Sequence, residues 1–158
     1  MKKNYAFLFA IVLFLSSMSI NVSATNTVTI SDSLPKVFQM GDFEREYEKT
    51  KESYTSTLLS TCNGNTDVAF EKWMRLMLTM EAYAKDINYD INGVKMWIEI
   101  GCEPDGNIKY LSYALKPNSR FVEENELTGF LTSFVSKHKF SATSQRFFIN
   151  THASFPIY

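Results

Sequence analysis

The sequence predicts an α+β domain: a small antiparallel three-stranded sheet with helices packed on one face, preceded by two amphipathic helices. Three observations predict it. Val94 to Cys102 alternates apolar and polar residues with period two, the mark of a half-buried strand. A Pro104-Asp105-Gly106 turn then leads into a second strand-like run, and a third alternating run closes the chain. The segments 42–58, 66–84 and 122–139 instead place apolar residues at helical spacing.

The N-terminus comes first. Lys2 and Lys3 precede an apolar run from Tyr5 to Leu15, and Val22-Ser23-Ala24 supplies small residues at the −3 and −1 positions of a cleavage site. That layout is a secretory signal peptide over 1–24, cleaved after Ala24. The apolar run is about 11 residues, whereas a spanning helix needs about 20. The expected address is the periplasm or the outside of a bacterial cell, with no stable membrane insertion after cleavage. The whole 158-residue chain carries a net charge of −1, and losing Lys2 and Lys3 makes the remainder more acidic. Without a basic run, nucleic acid and anionic membranes are poor partners. The chain that remains suits one domain.

Residues 25–41 are polar at first and lack core periodicity, so a flexible N-terminal segment is expected before a single domain over 42–158. From Asp42 a helix is expected, with Phe43, Tyr47, Tyr54 and Leu58 on one face. Cys62-Asn63-Gly64-Asn65 breaks it. A second helix starts at Thr66 or Asp67, and its stripe is Phe70, Trp73, Met74, Met77, Met80 and Ala84. With Met40 these methionines suggest either an adaptable binding surface or, more simply, core.

Asn92-Gly93 is a turn. The strand that follows points Val94, Met96, Ile98, Ile100 and Cys102 inward, and Lys95, Trp97, Glu99, Gly101 and Glu103 outward. The second strand, Ile108 to Leu115, loses its alternation between Tyr110 and Leu111, which signals two covered faces or a bulge. Val122 to Lys139 is a helix with early acids and late bases, burying Leu127, Phe130, Leu131, Phe134 and His138. The last strand alternates Phe147, Ile149, Thr151, Ala153, Phe155 and Ile157, and Pro156 suits its end.

No catalytic constellation stands out, and no cofactor or metal is called for. His138 and His152 lack metal-binding spacing. Glu99 and Glu103 read as a solvated face. Cys62 and Cys102, in an oxidising compartment, either bridge or remain two buried thiols. A bridge would close a loop of about 40 residues and stabilise by about 3–4 kcal/mol in the chain-entropy picture. Cys102 near a histidine would be the one nucleophile worth testing. Trp97 is an exposed binding patch if its face is open, and core if the first helix covers it; that helix needs a surface to pack on, which favours core.

The ordered parts from Gly93-Val94 through the strand ending at Cys102, the Pro104-Asp105-Gly106 turn, Ile108, the segment His138 to Ala142, and the closing Phe155-Pro156-Ile157-Tyr158 together resemble the C-terminal domain of TonB energy transducers. The resemblance spans 93–158. It implies a fold and a protein-binding mode in which the last strand, about Phe147 to Phe155, offers its edge to a partner. It does not imply energy transduction, because that family keeps its N-terminal anchor and a long Pro-rich spacer, and this chain has four prolines and no cluster. The expected function is therefore an exported, non-catalytic, adaptor-like protein-binding domain. An exported small enzyme, an inhibitor, or a secreted effector or immunity-type protein is the alternative.

Overall fold

The computed structural model of the chain describes residues 34–141 and 143–157. The expected signal peptide, and most of the segment expected to be flexible, lie outside the described residues. The elements are β1 (Val37–Gln39), α1 (Glu44–Lys51), α2 (Leu58–Thr61), α3 (Thr66–Asp86), β2 (Lys95–Cys102), β3 (Ile108–Leu115), α4 (Glu124–Lys137) and β4 (Phe147–Ser154). They form an α+β domain around one mixed sheet of order β1-β3-β2-β4.

The expected antiparallel trio is there: β2 pairs with β3 on one side and β4 on the other. The sheet nevertheless has four strands, because β1 adds in parallel to β3 with Val37 opposite Leu111. This corrects the expectation of a flexible segment through residue 41. Three residues carry no usable period, but Val37 and Phe38 are both buried, one on each face.

Helices on one face is also corrected. α3 and α4 cover one face, where Met77, Met80, Leu127, Leu131 and Phe134 pack on Met96, Ile98, Ile100 and Leu111. The other face holds a second, aromatic cluster of Phe38, Tyr54 and Tyr110, with Tyr47 and Phe148 at its border. Tyr47 comes from α1 and Tyr54 from the segment that follows it, so that stretch lies on this second face.

The expected helix 42–58 divides. Phe43, in the left-handed region at φ 54°, precedes α1, and no side chain caps it. The chain leaves helix after Lys51, where Ser53 Oγ donates to Thr50 O (2.8 Å) at the start of a run rich in serine and threonine. Thr57 then opens α2 through a capping box: Ser60 N–H donates to Thr57 Oγ1 (3.2 Å) and Thr57 N–H to Ser60 Oγ (2.9 Å). The expected face survives only in part: Tyr47 and Tyr54 join the aromatic cluster, Leu58 joins the larger core on the other side, and Phe43 is exposed.

The lost alternation in β3 has both causes named above. The register slips between Gly101 and Cys102, which pair with Tyr110 and Ile108, so Lys109 is the extra residue of a bulge. Beyond it Tyr110, Leu111, Ser112 and Tyr113 are all buried, because both faces are covered. Gly106, at φ 82°, makes the β2–β3 turn. In α3 the buried stripe is Ala69, Leu76, Met77, Met80, Tyr83 and Ala84. Phe70 and Met74, expected in the core, are exposed.

Candidate functional site

The face under α1 carries the most unusual chemistry. Glu99 points outward from β2, as expected, but it is not solvated: it is 2% exposed. Its Oε1 accepts hydrogen bonds from the hydroxyls of Tyr47 and Tyr110, the latter at 3.0 Å. Its Oε2 accepts from Asn150 Nδ2 at 3.1 Å, and Lys51 Nζ lies 3.6 Å away. α1 supplies Tyr47 and Lys51, β3 supplies Tyr110, and β4 supplies Asn150 directly across the ladder from Glu99. Burial first, and the Glu99 carboxylate second, push the Tyr47 and Tyr110 phenols well above their usual range, so both remain donors.

Gly101 makes this arrangement fit. Tyr110 crosses directly over it, and a Cβ there would stand 2.2 Å from the ring. Just past the end of β2, Glu103 accepts from Tyr54 Oη (2.6 Å) and Arg146 Nε (2.8 Å). Burial alone would raise Glu103, but these two donors outweigh it and hold the carboxyl below its ordinary range. A cavity of about 390 Å³ opens over Glu99, with Phe38, Tyr47, Trp97, Ser112 and Asn150 in its walls.

Trp97 is 48% exposed, so the core reading is corrected: α1 stops short of it. Its ring stands edge-on to His152, its cross-strand partner, with centroids 6.0 Å apart. Lys116 Nζ sits 4.5 Å over the same ring.

β4 is an edge strand. Phe155 N–H donates to Val94 O, so the odd residues of β4 face β2. Phe148 N–H points the other way and donates to Ser56 O, where Thr57 makes a single parallel bridge. By the same alternation Asn150, His152 and Ser154 present their N–H groups outward, and no strand among the described residues pairs with them. Of the residues expected on this strand, Phe147, Ile149, Ala153 and Phe155 are buried and Thr151 is half-buried, so they form its core side. Beside the edge, an apolar cleft of about 340 Å³ runs between β4 and the α2–α3 pair, lined by Leu59, Phe70, Trp73, Ile149 and Thr151. Phe70, 62% exposed, stands over it.

Cys62 and Cys102 are both free and both buried. Burial, then the charge of Glu103, pushes the Cys102 thiol up to about 12, which leaves it a core residue rather than a nucleophile. His138 stacks on Phe134 (4.8 Å), and its buried Nε2 has no hydrogen-bond partner among the described residues. Among the described residues no three His, Cys, Asp or Glu side chains converge on a metal site, and no helix is long and apolar enough to cross a membrane. A separate cleft of about 600 Å³ gathers Lys36, Lys109, Lys137, Lys139 and Arg146, bases far apart in sequence.

The period-two pattern of β2 placed Trp97 and Glu99 on one face, but nothing local announced that Glu99 would be buried. The available signal was Gly101 beside it, opposite an aromatic-rich helix: a missing side chain where a ring must cross. Comparison with known proteins yields no counterpart, since no family model matches the chain and no curated protein or solved structure is similar to it.

Proposed function

We propose that this chain is an exported, non-catalytic binding domain of the bacterial periplasm or cell envelope that takes up an extended segment of a protein partner along the edge of β4. One observation carries the reading: three outward N–H groups on β4 stand beside an apolar cleft. An added strand gains main-chain hydrogen bonds from the edge, and its alternate side chains fill the cleft. Most edges of this length are blunted by charge, proline or a covering element. Among the described residues only Phe148 of this edge is covered, by Ser56. The TonB-like order of hairpin, helix and last strand supports the same edge as the recognition surface. Export rests on the layout of residues 1–24.

His152→Pro is the test. It removes one outward N–H, and proline is tolerated where the N–H of an edge strand faces away from the sheet. Wild type and variant, matched for far-ultraviolet circular dichroism, are compared in capture from envelope extracts, with a photo-crosslinking residue at Ser154 to report contact. The expected result is a crosslinked partner with wild type and its loss with His152→Pro but not His152→Ala. Equal capture by all three overturns edge pairing. Mass spectrometry of the exported protein should find Thr25 at its N-terminus; Met1 there overturns the export reading.

A further inference from the structure

We propose that the cavity over Glu99 is a binding site for a primary alkylammonium group, a small organic cation or a lysine-like side chain. The inference stands apart from strand uptake at β4. Its first support is the floor of the cavity. Glu99 is a carboxylate 2% exposed, yet its Oε2 has one close donor, Asn150, and a lysine at 3.6 Å, beyond ordinary hydrogen-bond length. Lys51 is 37% exposed at its side chain, so its ammonium can return to water with little loss.

The second support is Ser112. It is also 2% exposed, lines the same cavity and pairs with Glu99 across the β2–β3 ladder. The hydroxyl stands on the cavity wall, where it can accept an N–H from a ligand. An alkylammonium carries three N–H donors; Glu99 Oε2 and Ser112 Oγ accept two of them.

The walls show which charge the site holds. The protein's own lysines already sit on the two rings at its mouth, Lys51 at 5.2 Å from the Tyr47 centroid and Lys116 at 4.5 Å from that of Trp97. Ring faces attract cations, and so does the carboxylate beneath them. A ligand ammonium taking the place of Lys51 exchanges one positive charge for another, so Glu99 is never left unpaired. An anion would have to approach Glu99 itself. The aliphatic tail would lie against Phe38 and the rims of Tyr47 and Trp97, which border the same space.

The experiment titrates the protein with n-butylammonium chloride, with sodium butyrate and n-butanol as matched controls, following the Trp97 indole and Gly101 amide by NMR. For wild type, butylammonium should saturate in the millimolar range, the scale open to a ligand of a few heavy atoms, and the controls should not. Lys51→Met removes the competing cation and should tighten binding by about tenfold. Ser112→Ala should weaken it by about fivefold, and Glu99→Gln should abolish it. If Glu99→Gln fails to fold, Lys51→Met still decides, because that side chain is partly exposed and lies at the surface. Weaker butylammonium binding in Lys51→Met overturns the proposal. So does butyrate binding as tightly as the amine, or no saturation in both wild type and Lys51→Met.

Discussion

Replacing Gly101 with alanine tests how tightly the second face of the sheet is built. The added Cβ would lie 2.2 Å from Tyr110 Cε1, 2.7 Å from Cδ1 and 2.8 Å from Cζ. Carbon atoms pack at about 3.5–4.0 Å, so the ring must retreat by more than about 1 Å. Tyr110 has nowhere to go. It is fully buried, with the rings of Tyr54, Tyr47 and Phe38 at 5.5, 5.7 and 6.4 Å. Overpacking of this kind costs about 1–3 kcal/mol. Moving the ring also strains the 3.0 Å bond to Glu99, and a hydrogen bond to a charged group is worth about 1.5–3 kcal/mol. The stiffer unfolded chain returns only about 0.4–1 kcal/mol. The net expectation is a loss of about 3 kcal/mol, or about 10 °C in Tm for a domain of this size. Urea and thermal unfolding followed by circular dichroism measure it. On a Tyr110→Ala background the same glycine replacement should cost nothing, since the ring is gone. An unchanged or raised Tm for Gly101→Ala, or an equal loss on both backgrounds, would refute the reasoning.

Other outcomes follow from the same geometry. Phe134→Ala should cost about 3–5 kcal/mol by opening a hole under α4, read as a lower urea midpoint or a lost cooperative transition. Thr57→Ala removes the acceptor of Ser60 N–H, one half of the α2 capping box, while the backbone N–H of residue 57 can still donate to Ser60 Oγ, and should cost about 1 kcal/mol. The raised phenols of Tyr47, Tyr54 and Tyr110 favour the protonated form in the fold, so their stabilisation is complete below pH 10.0 and is lost as pH rises above it. Tyrosinate absorbance should therefore appear together with loss of circular dichroism, and these three should not titrate in the native state. Glu103 has the opposite sign. Its carboxyl is held low, so its contribution is present above the ordinary value of 4.5 and disappears as pH falls below it. Arg146→Gln should move the acid unfolding midpoint upward.

Much of the first face was legible in the residues themselves. Alternation in β2 and β4, and the stripe Leu127, Phe130, Leu131 and Phe134 in α4, mark surfaces that each element buries whole, and a whole buried face leaves a periodic trace. The departures occur where burial is shared or partial. Phe70 and Met74 match the helical period of α3 but are exposed, Phe70 beside the cleft along β4, so period alone placed them in the core. Trp97 matched either reading because its exposure depends on where α1 crosses the sheet: Tyr47 meets Glu99 and the chain then runs toward Glu103, where Tyr54 lands, away from Trp97.

The sequence by itself determined the α+β class, the β2–β3 hairpin and its turn, and the face to which Trp97 belongs. These rest on local period and turn chemistry, which neighbours in the chain enforce. Only the tertiary structure decided that β1 joins the sheet, that α1 lies over its second face, and that Glu99 is buried beneath two tyrosines. It also decided that Lys36, Lys109, Lys137, Lys139 and Arg146 line one cleft in a chain of net charge −1. The reason is the same in each case. Desolvation of a carboxylate and the gathering of separated charges depend on distances through space, set by packing between segments that the sequence lists far apart.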